Sequence, residues 1–315
     1  MVQKINIKVS VIMSVYNSSK YLKEAIESIL NQTFKNFEFL IIDDNSTDDS
    51  CLILREYAKK DNRIRLFCNV KNQGLTKNLQ KLLKIAKGKY IARQDSDDVS
   101  FKNRLTSQVS YLDAHPEIIL VGTRFIYLDK FGKEYNYVPS RNLTIQKIKN
   151  MIKKRNFFPH GSIMFRKKEI LSIGGYNTDF KYSQDTEIYQ RVIKKYNIGY
   201  LDQILYGWRI LFNNISTKKS LEQKMYEKLA RTRREKIKKK QDVLKFIKNT
   251  AKKDYVNSLF YITFNMILFG NVKKARHIIV VSKIYSLKLY LLYFLSFFKS
   301  LLVCLFKIRN KYLLI

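Results

Sequence analysis

Apolar positions fall into short runs separated by polar breaks, and the spacing of those runs predicts the elements. Ile7 to Val15 (IKVSVIMSV) is a mostly apolar, β-branched run of the kind found in a central strand. Tyr16-Asn17-Ser18-Ser19 breaks it. From Lys20 to Asn31, Leu22, Ile26, Ile29 and Leu30 recur at helical spacing. Phe37 to Asp43 (FEFLIID) reads as a second strand, closed by Asp43-Asp44-Asn45-Ser46. Ser46 with Asp49 fits a capping box, which opens a helix over Cys51 to Ala58. Ile64 to Phe67 is a short strand and Asn72-Gln73-Gly74-Leu75 a turn. A helix from Thr76 to about Ala86 buries Leu79, Leu82, Leu83 and Ile85, and a strand follows at Lys89 to Arg93.

The order β-α-β-α-β-α-β predicts a parallel sheet with right-handed crossovers and helices on both faces. Ligands of such sheets sit beyond the carboxyl ends of the strands. Tyr16, Asp43 with Asp44, and the Asp95, Asp97, Asp98 triplet of YIARQDSDD all fall there. No GxGxxG follows the first strand and no GxxxxGK[ST] occurs, so neither a dinucleotide fold nor a P-loop is supported.

The second half looks mixed. Helices are expected at Leu105 to Ala114, Leu143 to Lys154, Lys167 to Ile173 and Gln184 to Lys195. Extended segments are expected at Ile118 to Tyr127, Ser162 to Phe165 and Ile198 to Arg209, with a turn at Asp129 to Lys133. Gly174-Gly175 ends a helix in the usual manner. The spacing divides the chain into residues 1–217, an α/β domain with halves 1–98 and 99–217, and a helical, basic extension over residues 218–315.

Charge sharpens that division. The 315 residues carry a formal +34, and residues 218–315 hold 24 basic residues against 5 acidic ones. An anionic partner is implied, either nucleic acid or an acidic membrane surface. No helix-turn-helix, zinc finger or RNP-like motif accompanies the charge, so nucleic acid is not the expected partner. A lysine-rich composition would raise the same number without any function. Leu289 to Phe306 carries one charge, Lys299, and would span about 27 Å as a helix, which suits a segment lying in or dipping into a leaflet. A core helix or a dimer interface is the plainer account. Three scattered cysteines, Cys51, Cys68 and Cys304, form no zinc spacing and point to a reducing compartment. Strand-like alternation begins almost at once, so no secretory leader is expected.

Three carboxylates within four residues repel one another and resist burial, a cost that a hard divalent cation would relieve. On spacing alone a solvated acidic turn accounts for them equally well. Tyr16 is by itself a packed tyrosine at a sheet edge, and Asp185 a helix-capping residue.

In order, SVIMSVYNSSKYLKEAIESILNQTF, IIDDNSTDDS, NQGL, YIARQDSDD, PHGSIMFRK, IGGYNTDF and QDTEIYQR make the chain resemble the inverting family-2 glycosyltransferases of the GT-A fold, over roughly residues 8–217. The bacterial enzymes that build lipopolysaccharide, lipooligosaccharide or capsule are the nearest in flavour. The resemblance implies that Tyr16 stacks on the nucleotide base, that Asp44 accepts a hydrogen bond from it, and that Asn72 lies near base and ribose. It makes Asp95-Ser96-Asp97 the DxD element. Asp97 would be the main ligand of Mn²⁺ or Mg²⁺, Asp95 would touch metal or ribose, and Asp98 would share either task. Asp185 would be the base, with Glu187 as the backup carboxylate. His160 and Gly175 would line the acceptor side. A UDP-sugar donor, a glycan or lipid-linked acceptor, and attachment to the cytoplasmic face of the cell membrane through the basic extension complete the expectation.

Two positions depart from the pattern. Gln184 stands where a Glu is usual, and Leu211 where a His follows Arg209 by two residues. Leucine ligates neither metal nor phosphate, so Arg209 or a nearby Lys is expected to hold the diphosphate instead. With these losses, a nucleotide-sugar-binding homologue without catalysis is the alternative.

Overall fold

In the computed structural model of the chain, the structure describes residues 7–137, 143–211 and 220–232. Contacts divide the chain into Met1–Ile210 and Leu211–Ile315. The described part of the second unit is one helix, α8 (Ser220–Thr232). The apolar run at 289–306 lies outside the described residues, as does nearly all of the basic extension. Among the described residues, no helix is long and apolar enough to cross a membrane.

The first unit is an α/β sandwich. β1 (Val9–Val15), β2 (Phe37–Asp43), β3 (Ile64–Cys68) and β4 (Tyr90–Arg93) are mutually parallel in the order β3-β2-β1-β4, as the alternation of strands and helices predicts. The sheet then turns mixed. β8 (Met164–Arg166) is antiparallel to β4 and to β6 (Ile118–Leu128), and β9 (Asn197–Arg209) runs parallel to β6. Two short strands escaped the sequence reading. β5 (Val99–Ser100) pairs with β9, and β7 (Glu134–Tyr137) pairs with β6 across the turn expected at Asp129–Lys133. Two and four residues are too few to show alternation.

Alternation along the central strands sorts side chains to two cores. Ile12, Leu40, Ile42 and Ile91 face one side, under α3 (Leu75–Ile85), α5 (Ile145–Lys154), α6 (Lys167–Ser172) and α7 (Gln184–Lys195). Val9, Val11, Met13, Phe39 and Ile41 face the other, under α1 (Ser19–Leu30), α2 (Ser50–Lys60) and α4 (Arg104–Ala114).

The capping box is a correction. α2 begins at Ser50, not after Ser46, and Ser46 Oγ instead accepts from Asn17 N at 3.0 Å. Asp48 serves both helix starts on this rim, accepting from Ser50 N and Ser19 N at 3.0 Å each. The segment read as a strand from Ser162 opens as a 3₁₀ turn, His160–Ser162, before β8.

Candidate active site

The carboxyl ends of β1, β2 and β4 form one rim. Tyr16 follows β1 and is 50% exposed. Asp44 follows β2 and is buried. Its carboxylate accepts from Asn69 Nδ2, Gln73 N and Gly74 N, each at 2.8 Å. Asn72 is exposed and donates to the Asp44 carbonyl at 3.2 Å. Asp44 thus folds the 69–74 loop back onto the strand end, and its Oδ2 accepts from Gly74 alone among the described residues. A second lone pair remains for an outside N–H donor. Asn69 and Asn78, which the sequence reading missed, carry this anchorage to β1 through Asn69–Asn78 at 2.9 Å and Asn78–Ser14 at 3.0 Å. A buried Asn inside the leucine stripe of α3 was the available signal.

The loop after β4 is braced from below by arginines. Arg93 is fully buried and pairs with Asp95 at 2.5 Å. Arg104, equally buried, donates to the Arg93 carbonyl at 2.6 Å and to Gln94 Oε1 at 3.1 Å. Gln94 in turn donates to the carbonyls of Asp95 and Asp98. Ser96 Oγ meets Ser18 Oγ at 2.8 Å, tying the loop to the start of α1.

The three aspartates do not share one role. Asp98 is buried, with Oδ2 accepting from the Tyr206 hydroxyl and Oδ1 from Arg209 N, both at 2.8 Å. It fastens β9 beneath the loop, a structural task that the sequence did not show beside the expected reach to metal or ribose. Asp97 is half-buried, and its carboxyl is pushed up to about 7 by desolvation and then by the charge of Asp95. Asp95 and Asp97 therefore offer hard oxygens under a repulsion that Arg93 and Arg209 offset only in part. That donor set fits Mn²⁺ or Mg²⁺, with phosphate oxygens and water completing the shell. No group of three or more His, Cys, Asp or Glu suited to a metal occurs among the described residues.

Arg209, expected at the diphosphate, is enclosed by the protein instead. It is 1% exposed. Its Nε donates to the Asp97 carbonyl at 2.8 Å, its Nη1 to the Asp129 carbonyl at 3.0 Å, and its Nη2 pairs with Glu24 at 2.5 Å. Tyr21 lies against its guanidinium. Each nitrogen already serves a protein acceptor, so it holds the loop rather than a diphosphate.

The candidate base sits in the first turn of α7, where the helix dipole favours an anion. Asp185 Oδ2 accepts from Asn156 Nδ2 at 2.8 Å. Glu187 is buried and paired with Arg191 at 2.6 Å. Arg191 also donates to the carbonyls of Ile173 and Gly175. Glu187 thereby fixes the Gly174-Gly175 turn, where both glycines have positive φ, and is not a spare carboxylate. Gly175 itself is buried against Gln80.

His160 and Tyr176 join the two carboxylate regions. His160 Nε2 meets the Tyr176 hydroxyl at 2.9 Å. Burial, and then the charge of Arg93, hold the imidazole well below its ordinary value, so it is neutral. The Tyr176 phenol is raised by burial, with Asp185 and Asp95 both adding to the effect. The loop after β4 and the first turn of α7 thus bear on one tyrosine.

Gly161 makes this approach possible. A Cβ there would overlap the Tyr206 hydroxyl and come within 2.7 Å of Asp95 Oδ2. Gly161→Ala is expected to cost about 1–3 kcal/mol through overpacking and to displace Asp95. A lowered Tm together with weakened Mn²⁺ binding would check it.

A parallel half with carboxylates at its strand ends, joined to a mixed half bearing a further helix-borne carboxylate, is the arrangement of GT-A nucleotide-diphospho-sugar transferases. The chain belongs to glycosyl transferase family 2, whose sequence model matches residues 10–173. It is 36% identical over 220 residues to the O-antigen biosynthesis glycosyltransferase WbnJ of Escherichia coli, covering 67% of this chain and 82% of WbnJ. Two solved structures share the fold at low identity. One is residues 1–349 of S. aureus TarS in complex with UDP, with a TM-score of 0.58, 17% identity and coverage of 86% of this chain and 83% of that one. The other is the mannosyltransferase PcManGT of Pyrobaculum calidifontis in complex with GDP-Man and Mn²⁺, with a TM-score of 0.55, 16% identity and coverage of 90% and 78%.

Proposed function

We propose that this glycosyltransferase moves a sugar from a UDP-linked donor to a hydroxyl of a glycan or lipid-linked acceptor, with inversion, in the assembly of a lipopolysaccharide, lipooligosaccharide or capsule. The observation that carries the reading is that one short segment reaches both carboxylates: Asn156 Nδ2 donates to Asp185 Oδ2 at 2.8 Å, and a Cβ on Gly161 would lie 2.7 Å from Asp95 Oδ2, so a diphosphate-side carboxylate and a candidate base flank one site. Tyr16 supplies an exposed ring for the base, and Asp44 an open acceptor for its N–H. Asp185 takes the proton of the acceptor hydroxyl as that oxygen attacks the anomeric carbon from the face opposite the diphosphate. A divalent ion held by Asp97 and Asp95 would offset charge on the departing nucleoside diphosphate. One displacement inverts the anomeric centre, so an α-linked donor yields a β-linked product. The UDP in complex with TarS and the O-antigen biosynthesis role of WbnJ support the donor and acceptor classes. The basic extension and the apolar run at 289–306 support peripheral attachment at the cytoplasmic face of the membrane.

The test is nucleotide release from a panel of UDP-, dTDP- and GDP-sugars with and without Mn²⁺. Metal-dependent release from the UDP members supports the reading. Retained nucleotide binding with no turnover on any donor would favour a binding-only homologue instead.

Metal binding also has a pH signature. The folded value of Asp97 lies above its ordinary 3.8, so the metal-free fold binds more protons than the unfolded chain between 3.8 and about 7. Stability of the metal-free protein therefore falls as pH rises through that window. Binding displaces the proton, so Mn²⁺ is expected to raise Tm more at about pH 8 than at about pH 6. Thermal melts at both values, repeated on Asp97→Asn, check it; an equal shift in the variant would remove Asp97 from the site.

A further inference from the structure

The two helical layers of the first unit carry different charge. On the layer of α3, α5, α6 and α7, burial takes one side of each helix and leaves the other to solvent. α3 shows Lys77, Lys81 and Lys84 outward, at i, i+4 and i+7, and α5 shows Lys147, Lys153 and Lys154. α6 adds Lys168, and the last turn of α7 adds Lys194 and Lys195. Among the described residues these four helices expose no Asp or Glu. Glu169 and Asp185 are half-buried, and Glu187 is buried against Arg191.

The layer of α1, α2 and α4 differs. Its exposed Lys20, Lys23, Arg55, Lys59 and Lys60 are interleaved with exposed Glu24, Glu27, Glu56 and Asp113. A lysine-rich composition would load both layers alike. The asymmetry belongs to the surface.

We propose that the outer face of the α3, α5, α6 and α7 layer docks on an anionic phospholipid bilayer. The positive charges spread over four helices rather than line a groove, and all the exposed cations on those helices are lysines. Lysine is a flexible point charge suited to diffuse attraction by headgroups, whereas base and phosphate recognition in nucleic acid favours the planar fork of arginine. The face lies wholly within residues 75–195 and includes no residue of the basic extension. Two of its helices begin at the site: α3 follows the Gly74 turn held by Asp44, and α7 carries Asp185 in its first turn. If the acceptor is lipid-linked, as proposed above, docking this layer brings the rim to the membrane surface that holds it.

The test is co-sedimentation of the full chain with vesicles of phosphatidylcholine alone or mixed with phosphatidylglycerol. K77E/K81E/K147E/K153E is compared with K23E/R55E/K59E/K60E, which changes net charge equally on the opposite layer. The first variant is expected to lose binding to the mixed vesicles by about tenfold or more, and the second to lose less than about threefold. Equal losses in both, or no loss in the first, would overturn the proposal. So would a first variant that loses binding to duplex RNA while keeping vesicle binding. Thermal melts confirm folding, and Lys→Gln at the same four positions replaces the first variant if it does not fold. Vesicle binding needs no donor, so failure of the sugar-transfer reading leaves this outcome readable.

Discussion

Asp185→Asn is expected to lower kcat for sugar transfer by about a hundred- to ten-thousand-fold while leaving the fold and donor binding intact. The replacement keeps size and shape. Its amide oxygen can still accept from Asn156, which meets the carboxylate at 2.8 Å, and it still occupies the first turn of α7. What it loses is the capacity to take a proton, and positioned general bases contribute about that factor. Glu187 cannot replace it, because Arg191 holds that carboxylate at 2.6 Å. Single-turnover measurements of nucleotide and glycoside formation, beside titration of nucleotide binding, separate the chemical step from donor affinity. A variant with near-normal kcat would remove Asp185 from the reaction. Glu187→Gln is the companion. Its main effect is expected on Tm, because the Arg191 clamp on the Ile173 and Gly175 carbonyls weakens. Loss of kcat at unchanged Tm in that variant would transfer the base role to Glu187.

The parallel half was legible because its signals are local. Each strand is a continuous apolar run, each helix has a leucine or isoleucine stripe, and the polar breaks coincide with strand ends. The rim position of Tyr16, Asp44 and Asp95 to Asp98 follows from that order alone. The roles within the triplet did not follow. Asp95, Asp97 and Asp98 look alike in sequence, and only β9, more than a hundred residues away, distinguishes them by supplying Tyr206 and the Arg209 amide to Asp98. The buried arginines were missed for a related reason. Arg93 and Arg104 end or begin elements, where a charge usually reaches solvent. Here they point inward because a bent loop leaves carbonyls that need donors. The Ser46 box failed because Asn17 N takes the Ser46 hydroxyl across the rim and Asp43 takes the Ser46 amide, and a four-residue pattern does not contain that competition.

Arg209 decides between two accounts of this loop. If it bound the donor diphosphate, Arg209→Met would raise the donor KM and leave stability nearly unchanged. The structure gives the opposite expectation. The side chain is buried, and its removal leaves the Asp97 carbonyl without its side-chain donor, the Asp129 carbonyl with Gly132 N alone, and Glu24 without its partner. One unsatisfied acceptor and a broken, half-exposed ion pair together are expected to destabilise the fold by about 2 kcal/mol. Glu24 is itself 51% exposed, so most of that cost falls on the Asp97 carbonyl rather than on the salt bridge. Asp98 keeps its bond to the backbone amide of residue 209, so β9 stays attached and the variant is expected to fold at low temperature. The peptide of Asp97 loses its tether, however, and metal affinity should fall with it. The expected pattern is a lowered Tm, weaker Mn²⁺ binding and reduced kcat, with nucleotide affinity in the absence of metal little changed. Arg209→Lys should recover part of the stability, since an ammonium can reach one or two of the acceptors but cannot span all three. A KM effect alone, at wild-type Tm, would return Arg209 to the diphosphate.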